Sequence, residues 1–416
     1  MKKTSCTQGS LLDMPTPEKK TPAMPDMKKS MSRLERLMEE LCPNGVEYKT
    51  IGDICEISRG KVISKDYIRD NKGIYPVYSS QTENDGILGT ISTYMYDGEY
   101  LTWTTDGANA GSIFYRLGKF NITNVCGLLK ILNDDIITKY IYYILEYKAK
   151  EYVNSGMGNP KLMSHMVAKI KIPVPPLPVQ EEIVRILDTF SELTSELTSE
   201  LNKRKQQYEY YQYILFNKNW KLYPIGTVCN VQSGGTPSKN KKEYWSDGTI
   251  KWLGSSVCKN TKCVTEITGY ITNQGLKESS SKLQKSGTTL IALVGATIGK
   301  VSFLLFDAAI NQNIAAIKSK NISILNDSFL FYACRMLYHK FIKLTNDNFG
   351  MANLTFIKKL KIPVPPLEEQ ERIVSILDRF DALCNDLSSG LPAEIEARKK
   401  QYEYYRDKLL TFREAK

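Results

Sequence analysis

KIPVPPL at residues 171–177 recurs unchanged at 361–367, and the reading of this chain begins there. The match runs on. Gln180, Glu181, Ile183, Val184, Ile186, Leu187, Asp188 and Phe190 return as Gln370, Glu371, Ile373, Val374, Ile376, Leu377, Asp378 and Phe380. RKQQYEYY at 204–211 returns as RKKQYEYY at 398–405. Upstream, IGDIC at 51–55 answers to IGTVC at 225–229, and DGANAGSIFY at 106–115 aligns with VGATIGKVSF at 294–303. The chain is an internal duplication in which a variable block precedes each copy of a near-invariant one. The second variable block is longer, because the spacing between equivalent residues grows from 174 at IGDIC to 190 at KIPVPPL.

Each repeated block predicts a long helix. The prolines fix an extended entry and cannot continue a preceding helix, so the helix starts near residue 178. Ile183, Ile186, Leu187, Phe190, Leu193, Leu197 and Leu201 then keep the three-then-four spacing of a coiled-coil seam. Ile373, Ile376, Leu377, Phe380, Leu383 and Leu387 repeat it until Gly390 and Pro392 interrupt, after which a helix resumes. One seam cannot be buried alone, and two in one chain can cover each other. A helix over 179–215 spans about 55 Å at 1.5 Å per residue, long for the edge of a domain core and suited to a stalk. Inside it, LTSELTSEL at 193–201 has a four-residue period, and each unit adds about 6 Å and 40° of rotation.

The variable blocks read as α+β. Residues 74–131 and 225–317 are rich in Tyr, Thr, Ile and Val, with turns at Asp85-Gly86, Asp97-Gly98 and Asp247-Gly248. Helices at about 136–153 and 327–343 follow. The division expected from sequence is a flexible extension over 1–31, a first variable block over 32–170 and a spacer helix over 171–218. A second block follows over 219–360, and a second helical region over 361–416. A first helix begins near Ser32.

Composition excludes several classes. The 416 residues carry a formal charge of +11, and 42% apolar with 24% charged residues is ordinary for a globular protein. No run approaches the ~18 apolar residues of a membrane span, and no apolar segment follows Lys2 and Lys3 as a secretory signal requires. Nine scattered cysteines fit reduced thiols, hence a cytoplasmic location. Two histidines, His165 and His339, leave little room for histidine-based catalysis. Cys258 and Cys263 lack the further ligands that zinc needs, so no metal is expected. No phosphate-binding loop, nucleophile elbow or HExxH is present, and GMGNP at 156–160 lacks the context of a nucleotide loop. The Asn/Asp-Pro-Pro-aromatic tetrapeptide of amino-methyltransferases is also missing. The expectation is a non-catalytic chain.

Binding chemistry remains, and a basic chain points to an anionic partner. After its first strand the first block carries Ser58, Arg59 and Lys61, then Lys65. The second carries Thr236, Ser238, Lys239, Asn240, Lys241 and Lys242 behind Ser233-Gly234-Gly235. Further candidates for DNA contact are Ser79, Ser80, Gln81, Thr104, Thr105, Ser255, Ser256 and Lys259. Glycines permit close backbone approach, hydroxyls and lysines reach phosphates, and Arg, Asn or Gln pair with base edges.

The IPVPPLxxQ(E)xIVxILDxF block with its copy, the RKxQYEYY helix end, SGGTPS, and GATIG followed by NQNIAA together make the chain resemble the specificity (S) subunits of type I restriction–modification systems. The resemblance covers about residues 32–416. It implies two target-recognition domains of mixed α/β structure, about 45–170 and 219–360, each reading half of a bipartite double-stranded DNA site. It implies long conserved helices packing as an antiparallel coiled coil with a pseudo-twofold repeat. It also implies docking of two methyltransferase subunits, joined by restriction subunits, with S-adenosylmethionine, ATP and Mg²⁺ held by those partners. In that frame Leu193, Leu197, Leu201, Leu383 and Leu387 belong to the spacer, and the LTSE repeat resembles the spacer repeats of some members. The alternative from residues alone is a stand-alone two-module adaptor whose basic charge is incidental.

Overall fold

The computed structural model describes residues 27–156, 158–346, 351–386 and 388–415. Readings that fall on residues 1–26 and on Leu387 lie outside the described residues. The first helix, α1 (Met27–Leu41), starts five residues before Ser32 and ends before Pro43.

The first block then builds β1 (Tyr48–Thr50), β2 (Cys55–Arg59), β3 (Lys72–Tyr78), β4 (Ile87–Ile91), β5 (Tyr96–Thr104), β6 (Ile113–Ile122) and β7 (Cys126–Ile131). Six of these make one sheet in the order β2-β7-β5-β6-β3-β4. Helix α2 (Thr138–Lys148) covers it with Tyr140, Ile141 and Ile144 fully buried. β8 (Lys171–Pro173), the first half of the proline heptapeptide, pairs antiparallel with β1. Helix α3 (Leu177–Phe216) follows, 40 residues long, or about 60 Å.

The second block repeats the plan with β9 (Leu222–Pro224), β10 (Cys229–Ser233), β11 (Ile250–Leu253), β12 (Gly269–Ile271), β13 (Lys282–Gln284), β14 (Thr289–Ala292), β15 (Val301–Phe303), β16 (Ala308–Ile310) and β17 (Ile314–Ser319). The order β10-β17-β14-β15 reproduces β2-β7-β5-β6. The second half of β6 corresponds to β16, which has become part of a separate sheet, β12-β11-β16-β13. In both blocks this segment takes a parallel neighbour, β3 against β6 and β11 against β16. Helix α4 (Asp327–Arg335) stands where α2 does, β18 (Lys361–Pro363) pairs with β9, and the chain closes with α5 (Leu367–Asn385) and α6 (Leu391–Leu409). Gly390 sits at the break, where a Cβ would meet the Ala382 and Asp386 carbonyl oxygens at 2.6 and 2.7 Å.

The described chain forms two compact units, and their division falls inside α3. The first unit holds residues 27–196 with 395–415, the second 197–394. Each recognition block therefore carries the start of its own repeated helix and the end of the other copy's. In the first unit Phe190 stacks on Tyr405 at 5.5 Å and meets Tyr402 edge-on at 6.4 Å. In the second, Phe380 stacks on Tyr208 at 5.7 Å and packs on Tyr211 at 5.3 Å. The seam is as spaced in α3, where Ile183, Ile186, Leu187, Phe190, Leu193 and Leu197 are buried and Leu201 is half-buried. In α5 it drifts: Ile373, Leu377, Phe380 and Cys384 are buried, and Leu383 is only half so. An unbroken three-four alternation from Ile373 arrives at Cys384, which is why the thiol takes the place expected for Leu383.

Candidate nucleic-acid interface

The two blocks bring equivalent loops to the end of the same core strands. In the first unit β2 ends at Arg59, paired with Gly127 of β7. Gly60 follows and lies so close to the end of β6 that a Cβ would come within 2.3 Å of the Ile122 carbonyl oxygen. In the second, β10 ends at Ser233, and a Cβ on Gly234 would come within 1.9 Å of the Ile310 carbonyl oxygen. Only glycine fits either contact, so the loop leaves each sheet at the same place.

Arg59 is gripped from behind. Its Nη2 donates to Thr105 Oγ1 at 2.9 Å, and that hydroxyl donates to Asp106 Oδ2 at 2.5 Å. Asp106 also lies 3.7 Å from Arg59 Nη2 and 3.7 Å from Lys161 Nζ. Backbone bonds fix this cluster: Leu162 N–H donates to the Thr105 carbonyl at 2.9 Å, and Gly107 N–H to the Pro160 carbonyl at 3.0 Å. The indole of Trp103, itself fully buried, donates to the Leu162 carbonyl. Arg59, Gly60, Asp106, Asn124 and Val125 line an open cavity of about 610 Å³. A neighbouring one of about 710 Å³ is lined by Asn154, Gly156, Asn159, Lys161 and His165 among others.

The other candidates of the first block divide by exposure. Lys61 and Lys65 are exposed with no ion-pair partner among the described residues, and Ser58 is half-buried on β2. Ser79 Oγ accepts from Thr123 Oγ1, Gln81 donates to the Ile87 carbonyl, and Ser80 is half-buried between them. Arg116, buried at 3% exposure, supports this loop by donating to Asp85 and lying 3.6 Å over the Tyr78 ring. Thr104 and Thr105 are fully buried with their hydroxyls engaged internally, so neither presents an atom to a ligand. The sequence could not show this, because alternation along β5 does not say which end of the strand is roofed over.

In the second unit the loop over 233–242 is anchored by two indoles. Trp252 Nε1 donates to the Gly235 carbonyl and Trp245 Nε1 to the Ser238 carbonyl, both at 3.1 Å. Thr236 donates to Gln312 at 2.8 Å. Lys241 donates to Tyr244 Oη at 2.6 Å, and Tyr244 in turn to Glu278 at 2.8 Å. Lys239, Asn240 and Lys242 stand exposed, and the two lysines have no ion-pair partner among the described residues. Ser256 is exposed and Ser255 half-buried, while Lys259 pairs with Glu266 at 2.5 Å. Asp106, Lys161 and Glu278 escaped the sequence reading, since none stands in a repeated motif as a charged residue.

The cysteines take no part in this surface. All eight described ones are free, and burial pushes the thiols of the equivalent Cys55 and Cys229 up to about 12. Among the described residues no helix is long and apolar enough to cross a membrane.

The duplicated plan has known counterparts. The structure of a type I restriction–modification S subunit from M. genitalium superposes with a TM-score of 0.58 at 16% identity, covering 88% of this chain and 95% of that one. The specificity subunit of the type I restriction enzyme EcoR124I/EcoR124II from Escherichia coli is 38% identical over 293 residues, 66% of this chain and 71% of that protein. A chain described as a candidate type I specificity subunit in Mycoplasma pneumoniae is 34% identical over 368 residues, 86% of this chain and 96% of its own length. The model of the type I restriction modification DNA specificity domain matches twice, at residues 43–205 and 217–397, once for each copy of the repeat. With both copies matched, the chain belongs to the type I restriction–modification DNA specificity family.

Proposed function

We propose that this chain is the sequence-reading subunit of a methyltransferase and restriction complex, with each unit contacting one half of a bipartite DNA site. The observation that carries this reading is the repeated loop leaving the end of the first core strand, held by a glycine against the equivalent carbonyl and followed in both units by lysines with no ion-pair partner among the described residues. Lys61, Lys65, Lys239 and Lys242 would neutralise phosphates, and the better-held side chains between them would face bases. Thr105 supports Arg59 in this scheme, Thr104 holds the Asn109 carbonyl, and neither touches DNA. The chain supplies recognition only. The methyl donor, nucleotide and Mg²⁺ belong to its partners, which are two methyltransferase subunits and the restriction subunits. An intracellular location follows from that role.

The LTSE repeat at 193–201 straddles the division between the units, and we assign it the role of spacer. Deleting one LTSE unit shortens α3 by about 6 Å, which corresponds to one or two base pairs of DNA at about 3.4 Å each. Expressing the full chain with its methyltransferase partner and mapping methylated sites genome-wide tests both points. The expected result is a bipartite motif, and in the deletion variant the same two half-sites with a shorter gap. Altered half-sites with an unchanged gap would sink the spacer role. A chain that binds its partner but directs no methylation to any motif would favour the adaptor reading.

A further inference from the structure

Arg59 differs from the lysines around it in being fixed before any ligand arrives. Thr105 is fully buried, so its hydroxyl cannot swing away, and it accepts from Arg59 while donating to Asp106. The Arg59 side chain is still 36% exposed and borders the cavity of about 610 Å³. Nη2 uses one hydrogen on Thr105, and Nη1 and Nε have no partner among the described residues. Two parallel N–H donors therefore remain available, the geometry that matches O6 and N7 of guanine.

The carboxylate decides between base and phosphate. Asp106 sits 3.7 Å from the guanidinium and 30% exposed. A phosphate approaching Arg59 would meet that negative charge, whereas the N4 amino group of cytosine is a donor that a carboxylate accepts. A fixed arginine beside a partly exposed aspartate is thus complementary to a G·C pair, whereas an anion could gain from Arg59 and Lys161 together only by approaching the carboxylate that lies between them. The equivalent positions of the second unit are Ser233, Val294 and, for Lys161, Met351, which carry no charge. Val294 and Met351 keep the same antiparallel bridge that joins Asp106 to Lys161. The backbone is shared, and the charged reader exists in one unit alone.

We propose that Arg59 and Asp106 together read one G·C pair in the half-site contacted by the first unit, and that the second unit reads the matching position without charge. This rests on the function proposed above. The test uses the full chain with its methyltransferase partner, read by methylome mapping and by selection from a randomised duplex library. In R59Q one fixed G·C position should become degenerate, with discrimination there falling about five- to 150-fold. The other half-site and the gap should stay as they are. D106N should weaken the same position and raise binding to non-specific DNA. R59K, which keeps the charge but loses the planar fork, should also relax that position, and it serves if R59Q unfolds in a thermal melt. Uniformly weaker binding with every fixed base retained, and a salt slope lowered by about 0.9, would make Arg59 a phosphate contact and overturn the proposal. An unchanged motif would overturn it equally. If the wild-type complex shows no bipartite motif, the proposed function fails before any variant is considered.

Discussion

In the first unit Gln180 donates to the carbonyls of Pro175 and Asp135 and accepts from Ile137 N–H; in the second, Gln370 donates to Pro365 and Ile324 and accepts from Asn326 N–H. Asp188 accepts from Tyr143 at 2.6 Å, and Asp378 from the equivalent Tyr332 at 2.5 Å. Where helix meets recognition block, the two units are the same to the hydrogen bond. Elsewhere they part company. Asp188 takes its second bond from Lys139 of α2, whereas Asp378 takes its from Lys262, which lies in a loop of the second block. Buried Arg116 corresponds to buried Leu304, Arg59 to Ser233, and the ten residues of β6 to the two short strands β15 and β16. Sameness is concentrated at the joint and difference at the sheet ends, so the joint is the shared mount and the sheet ends carry what distinguishes one module from the other.

Five variants would break or sharpen that contrast. Gln180→Ala and Gln370→Ala should each cost the most, because the amide is fully buried in both units and so are the Pro175 and Pro365 residues whose carbonyls it leaves behind. Losing three bonds at a fully buried side chain predicts about 2–4 kcal/mol in either unit. Chemical denaturation would show the two losses to be similar if the joints are equivalent, and a large disparity would break the comparison. Lys262→Met should cost about 1 kcal/mol, the pair being partly exposed. It should also speed amide exchange in the loop around residues 259–264, while Lys139→Met should leave every recognition loop unchanged. Slow exchange in the Lys262 variant would mean the ion pair is not what steadies that loop. The smallest effect belongs to Glu369, held down to about 2 by hydrogen bonds from Arg372 and Lys218, with Val179 at its equivalent in the first unit. A carboxyl depressed below its unfolded value of about 4.3 stabilises above that pH and ceases to do so as pH falls towards 2. Melting of wild type and Glu369→Gln should therefore differ near pH 6 and converge near pH 2.

Much of the frame was legible because duplication is its own control. The proline entry, the starts of the repeated helices and the core strands all sit where two aligned copies agree, and the break at Gly390 shows as the one place where a proline and a glycine enter the second copy of the helix alone. The seam position at Cys384 was missed because one alternation step after Phe380 decides between residues 383 and 384, and leucine outranks cysteine on apolar character alone. The recognition surface was legible only in outline. Loop lysines show in sequence as exposed charge, yet the burial of Thr104 and Thr105 and the alignment of Asp106 between Arg59 and Lys161 depend on strands meeting from distant parts of the block.

The exchange of helix ends carries a consequence for how the chain matures during synthesis. Tyr402, whose hydroxyl donates to Glu146, lies 256 residues after it, while Tyr208 and the Arg335 that donates to it are 127 apart. As the chain leaves the ribosome, the first recognition block emerges early but waits for α6, made after the whole second block, before the ring of Phe190 is covered. The second unit already has its Tyr208 when its own block appears. The module begun first is therefore finished last, and long-range closure of this kind is slow and leaves apolar surface open meanwhile. Translation stalled within the second half would leave the first unit folded in its sheet and unsealed along its helix.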